Sequence, residues 1–198
     1  TRLTINWLRS WAGMHTEDLR YLSFKPRTGR WYRPKSFGSF HLFPTLMVFA
    51  GLLPLFPSLL NWPAAAYHPL NGLDVLAAGV ALGGAMVEAI ADGQLWQFRQ
   101  RSDRQRGEVL QTGLWRYSRH PNYFGELSFW LGLGLFGLAA NPAAYWWSLG
   151  GFAAMLALFV GYSIPAMEAK LAHGRPAYRQ YRRRTSALVP WPPRNEVA

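Results

Sequence analysis

The chain has 198 residues, 50% of them apolar and 16% aromatic, while only 16% carry charge, against about 25% in soluble domains. It has no cysteine, which excludes disulfide scaffolds and thiolate metal sites. The formal net charge of +11 and a mean hydropathy of -0.05 hide a segregation of basic from apolar stretches. That segregation points to a membrane face and an anionic cofactor and away from nucleic acid.

Residues 1–40 form a basic, aromatic segment in which Arg2, Arg9, Arg20 and Lys25 alternate with Trp7, Trp11, Tyr21 and Phe24. Leu3, Trp7 and Leu8 at helical spacing predict an interfacial helix ending near Gly13. Lys25 to Gly29 reads as a turn. The first membrane span is expected at 41–60, made irregular by Pro44, Pro54 and Pro57. A second follows at 73–91, with Gly79 and Gly83 spaced for close helix packing. Glu88, Asp92 and Arg99 share one helical face if that helix continues out of the membrane. Ionisable groups at such depth are costly, and they usually serve function.

Residues 99–108 are polar and lead into Gly113-Leu114-Trp115-Arg116-Tyr117-Ser118-Arg119-His120-Pro121-Asn122-Tyr123-Phe124-Gly125-Glu126. Pro121 suits the first turn of a helix, and the residues before it lie where backbone N–H groups are unpaired. With Arg116, Arg119 and His120 this is a place for an anion such as a phosphate. The third span is expected at 123–140. Within it Gly132, Gly134 and Gly137 match a dinucleotide fingerprint by letters, but no strand precedes them, so they read as a packing face. The fourth span is expected at 145–165, opened by Trp146 and Trp147. The tail, 166–198, is basic and cytoplasmic, with Tyr178 and Tyr181 three apart on a short amphipathic helix.

The expected fold class is therefore all-α: a multi-pass integral membrane helix bundle of about four transmembrane helices plus interfacial helices, in a single membrane domain. The first segment holds 8 Lys and Arg, the middle loop 6 and the tail 7, which accounts for all 21. The loops on the other side hold none, so the basic ends face the cytoplasm.

The string LWRYSRHPNYFGE resembles the signature of the steroid 5-alpha-reductase C-terminal family, including its bacterial branch and the related sterol reductases. The resemblance extends more weakly to NWLRSWAG and EDLRY near the start and to RRTSALVPWPP near the end. It implies a membrane protein that uses NADPH to reduce an activated carbon–carbon double bond in a lipid-like substrate: a steroid, a polyprenoid or an enoyl chain. It implies a cytoplasm-facing cofactor site built from Asp92, Arg99, Tyr117, Arg119, His120, Asn122, Glu126 and Tyr181, with no metal. Glu88 stands where animal relatives have Asn. The family's proton donor, a Tyr supported by a Glu, is expected on helices upstream of Thr1, so no catalytic acid is assigned. The alternative is an S-adenosylmethionine-dependent methyltransferase of the isoprenylcysteine carboxyl methyltransferase type. That family has an RHPxYxG string and a tail like Glu168 to Leu171 followed by Tyr178 and Tyr181. Asn122, Glu126 and the Asp92/Arg99 pair fit the reductases better.

Overall fold

The structure, a computed structural model, describes residues 25–26, 28–56, 70–103, 105, 107–140 and 146–194, with Thr4 and Leu8. The chain divides into two compact units, Thr1–Phe49 and Ala50–Ala198. The described elements are helical: α1 (Tyr32–Ser36), α2 (Phe43–Leu52), α3 (Gly72–Gln100), α4 (Pro121–Ala140), α5 (Gly150–Leu158), α6 (Ile164–Gly174) and α7 (Pro176–Arg184). No strand occurs among the described residues, apart from one isolated parallel bridge between Ser118 and Ser186.

Among the described residues, three helices are long and apolar enough to cross a membrane: Gly72–Gln100, Pro121–Ala140 and the continuous run Trp146–His173 that carries α5 and α6. The all-α membrane class stands. Of the four spans expected, the one at 41–60 is described only to Phe56, where α2 gives way to a turn at Leu53 and Pro54. The other three run further than their apolar cores. A span can continue past the membrane as helix when its polar residues still favour that state, as Gln94 to Gln100 do here.

Proline shapes two of these paths. Wide turns occupy Phe37–Leu42 and Phe159–Ser163, and each ends two residues before a proline, Pro44 or Pro165. Proline has no N–H to donate and its ring crowds the carbonyl four residues back, so the helix widens to take the misfit. Gly29 adopts φ 50 after the Lys25 segment, which only a residue free of a Cβ clash takes readily. The expected interfacial helix around Thr1–Trp11 (Thr4 and Leu8 apart) and the EDLRY element lie outside the described residues.

The main packing is α3 against α4. Ala77, Ala81, Gly84, Glu88, Ala91 and Phe98 form the buried stripe of α3. A Cβ on Gly125 would stand 2.6 Å from the Gly84 carbonyl oxygen and from the Glu88 nitrogen, and one on Gly132 would stand 2.6 Å from the Ala81 nitrogen. The backbones meet because these residues are small, which is how helices associate where lipid removes the hydrophobic drive. The expectation placed that role on Gly79 and Gly83, and it is corrected here. Both are exposed, with nothing among the described residues within 4 Å of an added Cβ, on the outward face with Val75, Leu82 and Met86. Spacing alone cannot say which face of an all-apolar helix meets a neighbour. The Gly132, Gly134, Gly137 packing face is as expected: Gly134 and Gly137 abut Ser148, whose Oγ donates to the Gly134 carbonyl at 2.8 Å.

At one end of the bundle Asn71 caps α3, accepting from the N–H groups of Leu73 and Asp74 while Asp74 accepts from the Asn71 N–H. Its amide also donates to the Ala139 carbonyl at the close of α4 (3.2 Å). The opposite end, where α3 stops, α4 starts and α6 leads into α7, collects the polar chemistry.

Candidate functional site

Helix α4 starts at Pro121, and its first backbone bond runs from the Phe124 N–H to the His120 carbonyl (3.1 Å). The residues before it are locked by buried bonds. Ser118 has no exposed surface; its Oγ donates to the Leu188 carbonyl (2.7 Å) and accepts from the His120 N–H (3.1 Å). Upstream, the turn Gly113–Arg116 is tied to α3. The Leu114 N–H donates to the Gln94 side chain (3.0 Å) and the Trp115 indole N–H to the Ala91 carbonyl (3.1 Å). Gly113 has φ 60, and a Cβ there would come within 2.5 Å of the Gln94 amide, so this contact requires glycine.

Arg119 joins the signature to the tail. Its Nε donates to Glu168 Oε1 at 2.7 Å, and its Nη1 donates to the carbonyls of Arg182 (2.7 Å) and Thr185 (2.6 Å). Those carbonyls lie at the end of α7, where the helix itself supplies no N–H donor, so the guanidinium caps that helix. Glu168 also receives His120 Nε2 at 3.3 Å, and Arg182 Nε stands 3.4 Å from its second oxygen. The His120 ring stacks on Tyr123, which stacks on Phe159.

The two tail tyrosines are both buried. Tyr181 donates to the carbonyl of Trp115 and stands 3.2 Å from that of Ser118. The Tyr178 hydroxyl is buried with no partner at hydrogen-bond geometry among the described residues. Burial, then the neighbouring Glu168 carboxylate, push its pKa up to about 12. Burial, then Tyr178, raise that of Tyr181 as well.

Between these elements lies a cavity of about 240 Å³. Of the eight residues expected at a cofactor site, Arg99, Arg119, His120, Asn122 and Tyr181 line it. Asp92 does not, but it accepts from the Asn122 amide at 3.3 Å and so ties α3 to α4 beside it. Tyr117 is exposed; its carbonyl accepts from the Trp191 N–H (2.9 Å) and its ring lies against Arg116. Glu126 is half-buried on α4 and is not part of the cavity wall. Glu88 is buried on the face that Gly125 meets.

Three residues join the site beyond those expected: Glu168, Arg175 and Tyr178. Glu168 joins through its contacts with Arg119, His120 and Arg182, and Arg175 and Tyr178 line the cavity. The guanidiniums of Arg99 and Arg175 have no partner among the described residues, unlike that of Arg119. The signal for Glu168 and Tyr178 is the tail string itself, which pairs a carboxylate with two tyrosines at helical spacing. Nothing in the string shows that the carboxylate turns back onto Arg119. No group of three or more metal-binding side chains occurs among the described residues.

Comparison with known proteins adds no chemistry. An uncharacterized protein of Schizosaccharomyces pombe, C594.04c, is 24% identical over 208 residues, covering 96% of this chain and 59% of its own length. The chain thus spans about three fifths of that relative. No solved structure matches. The family described as Protein of unknown function (DUF1295) matches residues 1–185, and the chain belongs to it.

Proposed function

We propose that this chain forms the cofactor-binding part of a membrane oxidoreductase that uses NADPH to reduce an activated carbon–carbon double bond in a lipid. The observation that carries the reading is the cavity at the basic end of the spans. Its lining combines Arg99, Arg175 and Asn122 with the apolar side chains of Leu95, Phe98 and Leu171. Two guanidiniums without partners among the described residues suit phosphates, which they bind through paired N–H groups. Arg119 is committed to Glu168 and the end of α7, so its part is to hold the wall.

A site for a drug-sized ligand is roughly 300–1,000 Å³, so this cavity takes one end of a dinucleotide and leaves the other outside. When bound, NADPH supplies a hydride. The chain's own residues bind and orient: Arg99 and Arg175 hold charge, Asn122 is aimed by Asp92, and His120 is fixed by Ser118, Glu168 and Tyr123. Leu95, Phe98 and Leu171 keep water from that end.

A second reading, a methyltransferase using S-adenosylmethionine, gains from one observation. Glu168, Tyr178 and Tyr181, the string that resembles those enzymes, all pack at this site. Titrating purified protein in detergent with NADPH, NADH and S-adenosylmethionine separates the two. Tightest binding of NADPH supports the reductase; binding of S-adenosylmethionine without NADPH replaces it.

A further inference from the structure

The tail builds a second concave face outside the cavity. Arg119, Arg182, Arg183, Arg184 and Arg194, with the indole of Trp191, line a cleft of about 500 Å³. Its shape is fixed by backbone bonds, from the Arg194 N–H to the Arg184 carbonyl, the Arg119 N–H to the Ser186 carbonyl and the Trp191 N–H to the Tyr117 carbonyl (each 2.9 Å). Glu168 meets Arg119 and Arg182 from within. The guanidiniums of Arg183 and Arg194 have no partner among the described residues, so the cleft stays strongly cationic.

Two apolar side chains of this segment are exposed: Trp191, in the cleft lining, to 68% and Val189, two residues before it, to 58%. Both are flanked by proline, at Pro190 and Pro192. Exposed indole and aliphatic surface next to guanidinium is poorly matched to water and well matched to the headgroup level of a bilayer. The cleft is also placed at that level. Helix α7, which supplies three of the arginines, starts at Pro176, directly after the helical run that crosses the membrane closes at Gly174.

We propose that this cleft binds the phosphate of an anionic phospholipid, with Trp191 and Val189 resting against the boundary between headgroup and acyl chain. The ligand chemistry is a phosphate held by several guanidiniums. The bilayer supplies it, because the apolar pair has no use for a soluble anion. The cleft shares Arg119 with the cavity, but Arg183 and Arg194 do not line the cavity.

The test uses the full chain in neutral detergent, with retention of added phosphatidylglycerol and of phosphatidylcholine measured by native mass spectrometry. The wild type should retain phosphatidylglycerol in preference. Arg183→Ala combined with Arg194→Ala should lower that retention roughly thirtyfold, two surface cations' worth, with thermal stability unchanged. Should the double variant not fold, Arg183→Gln alone is read in the same assay and should lose about fivefold. ADP or inorganic phosphate should not displace the lipid. Equal retention of the two lipids, or undiminished retention by the folded variant, overturns the proposal. Displacement by ADP or phosphate overturns it too, and assigns the cleft to a soluble phosphate.

Discussion

Arg119 and Glu168 lie 49 positions apart in sequence and meet at 2.7 Å, with only 10% and 7% of their side chains exposed. With the bonds from Arg119 to the Arg182 and Thr185 carbonyls, this contact folds the tail over the start of α4. Removing one member of such a buried pair strands the other's charge, at a cost of about 3–5 kcal/mol. Glu168→Ala should therefore lower thermal stability in detergent by that order. A loss under about 1 kcal/mol would mean the pair is no more than a surface contact.

The two tail tyrosines should behave oppositely. Tyr181→Phe leaves the Trp115 and Ser118 carbonyls short of a donor and should cost about 1–3 kcal/mol. Tyr178→Phe removes a buried hydroxyl that has no partner at hydrogen-bond geometry among the described residues, so it should leave stability unchanged or raise it. Thermal melts of both variants, compared with wild type, check this ordering.

The same tyrosines set an alkaline limit. Their folded pKa values are raised above 10.0, Tyr178 to about 12. The folded state thus favours the neutral phenol. That contribution is complete below pH 10 and is lost as pH rises from 10 through 12. Stability followed by chemical denaturation should fall across that window, and Tyr178→Phe should make the fall shallower. An equally steep fall in the variant would contradict the assignment.

Gly125→Ala should cost about 1–3 kcal/mol through overpacking, because the new methyl meets backbone on α3. Gly83→Ala meets nothing within 4 Å among the described residues and should be neutral or gain up to about 1 kcal/mol of helix propensity. Unfolding of both variants in detergent checks this contrast, and equal losses would place the α3–α4 contact on another face.

Much of this was legible in the string. Apolar runs gave the class and three spans, and Pro121 marked the start of α4. Pro44 marked the irregular path ahead of α2. What the string could not show is which groups the protein consumes itself. Arg119 looks like a phosphate ligand by residue type, yet its donors go to Glu168 and the end of α7. Arg175 looks like one more charge in a basic tail, yet it reaches the cavity. Long-range closure decides both, and local spacing carries no record of it. The same holds for Gly79 and Gly83, whose spacing is right and whose face is wrong.

The central claim is that Arg99, on the helical extension of α3, faces the cavity to hold an anionic cofactor. The direct measurement is NADPH affinity of the full protein and of Arg99→Ala, with thermal stability taken from the same samples. The account predicts a loss of roughly ten- to a hundredfold in affinity, about 1.5–3 kcal/mol for one charge-assisted contact, with an unchanged melting temperature. Unchanged affinity together with a marked loss of stability would contradict it, and would make Arg99 part of an ordinary structural network.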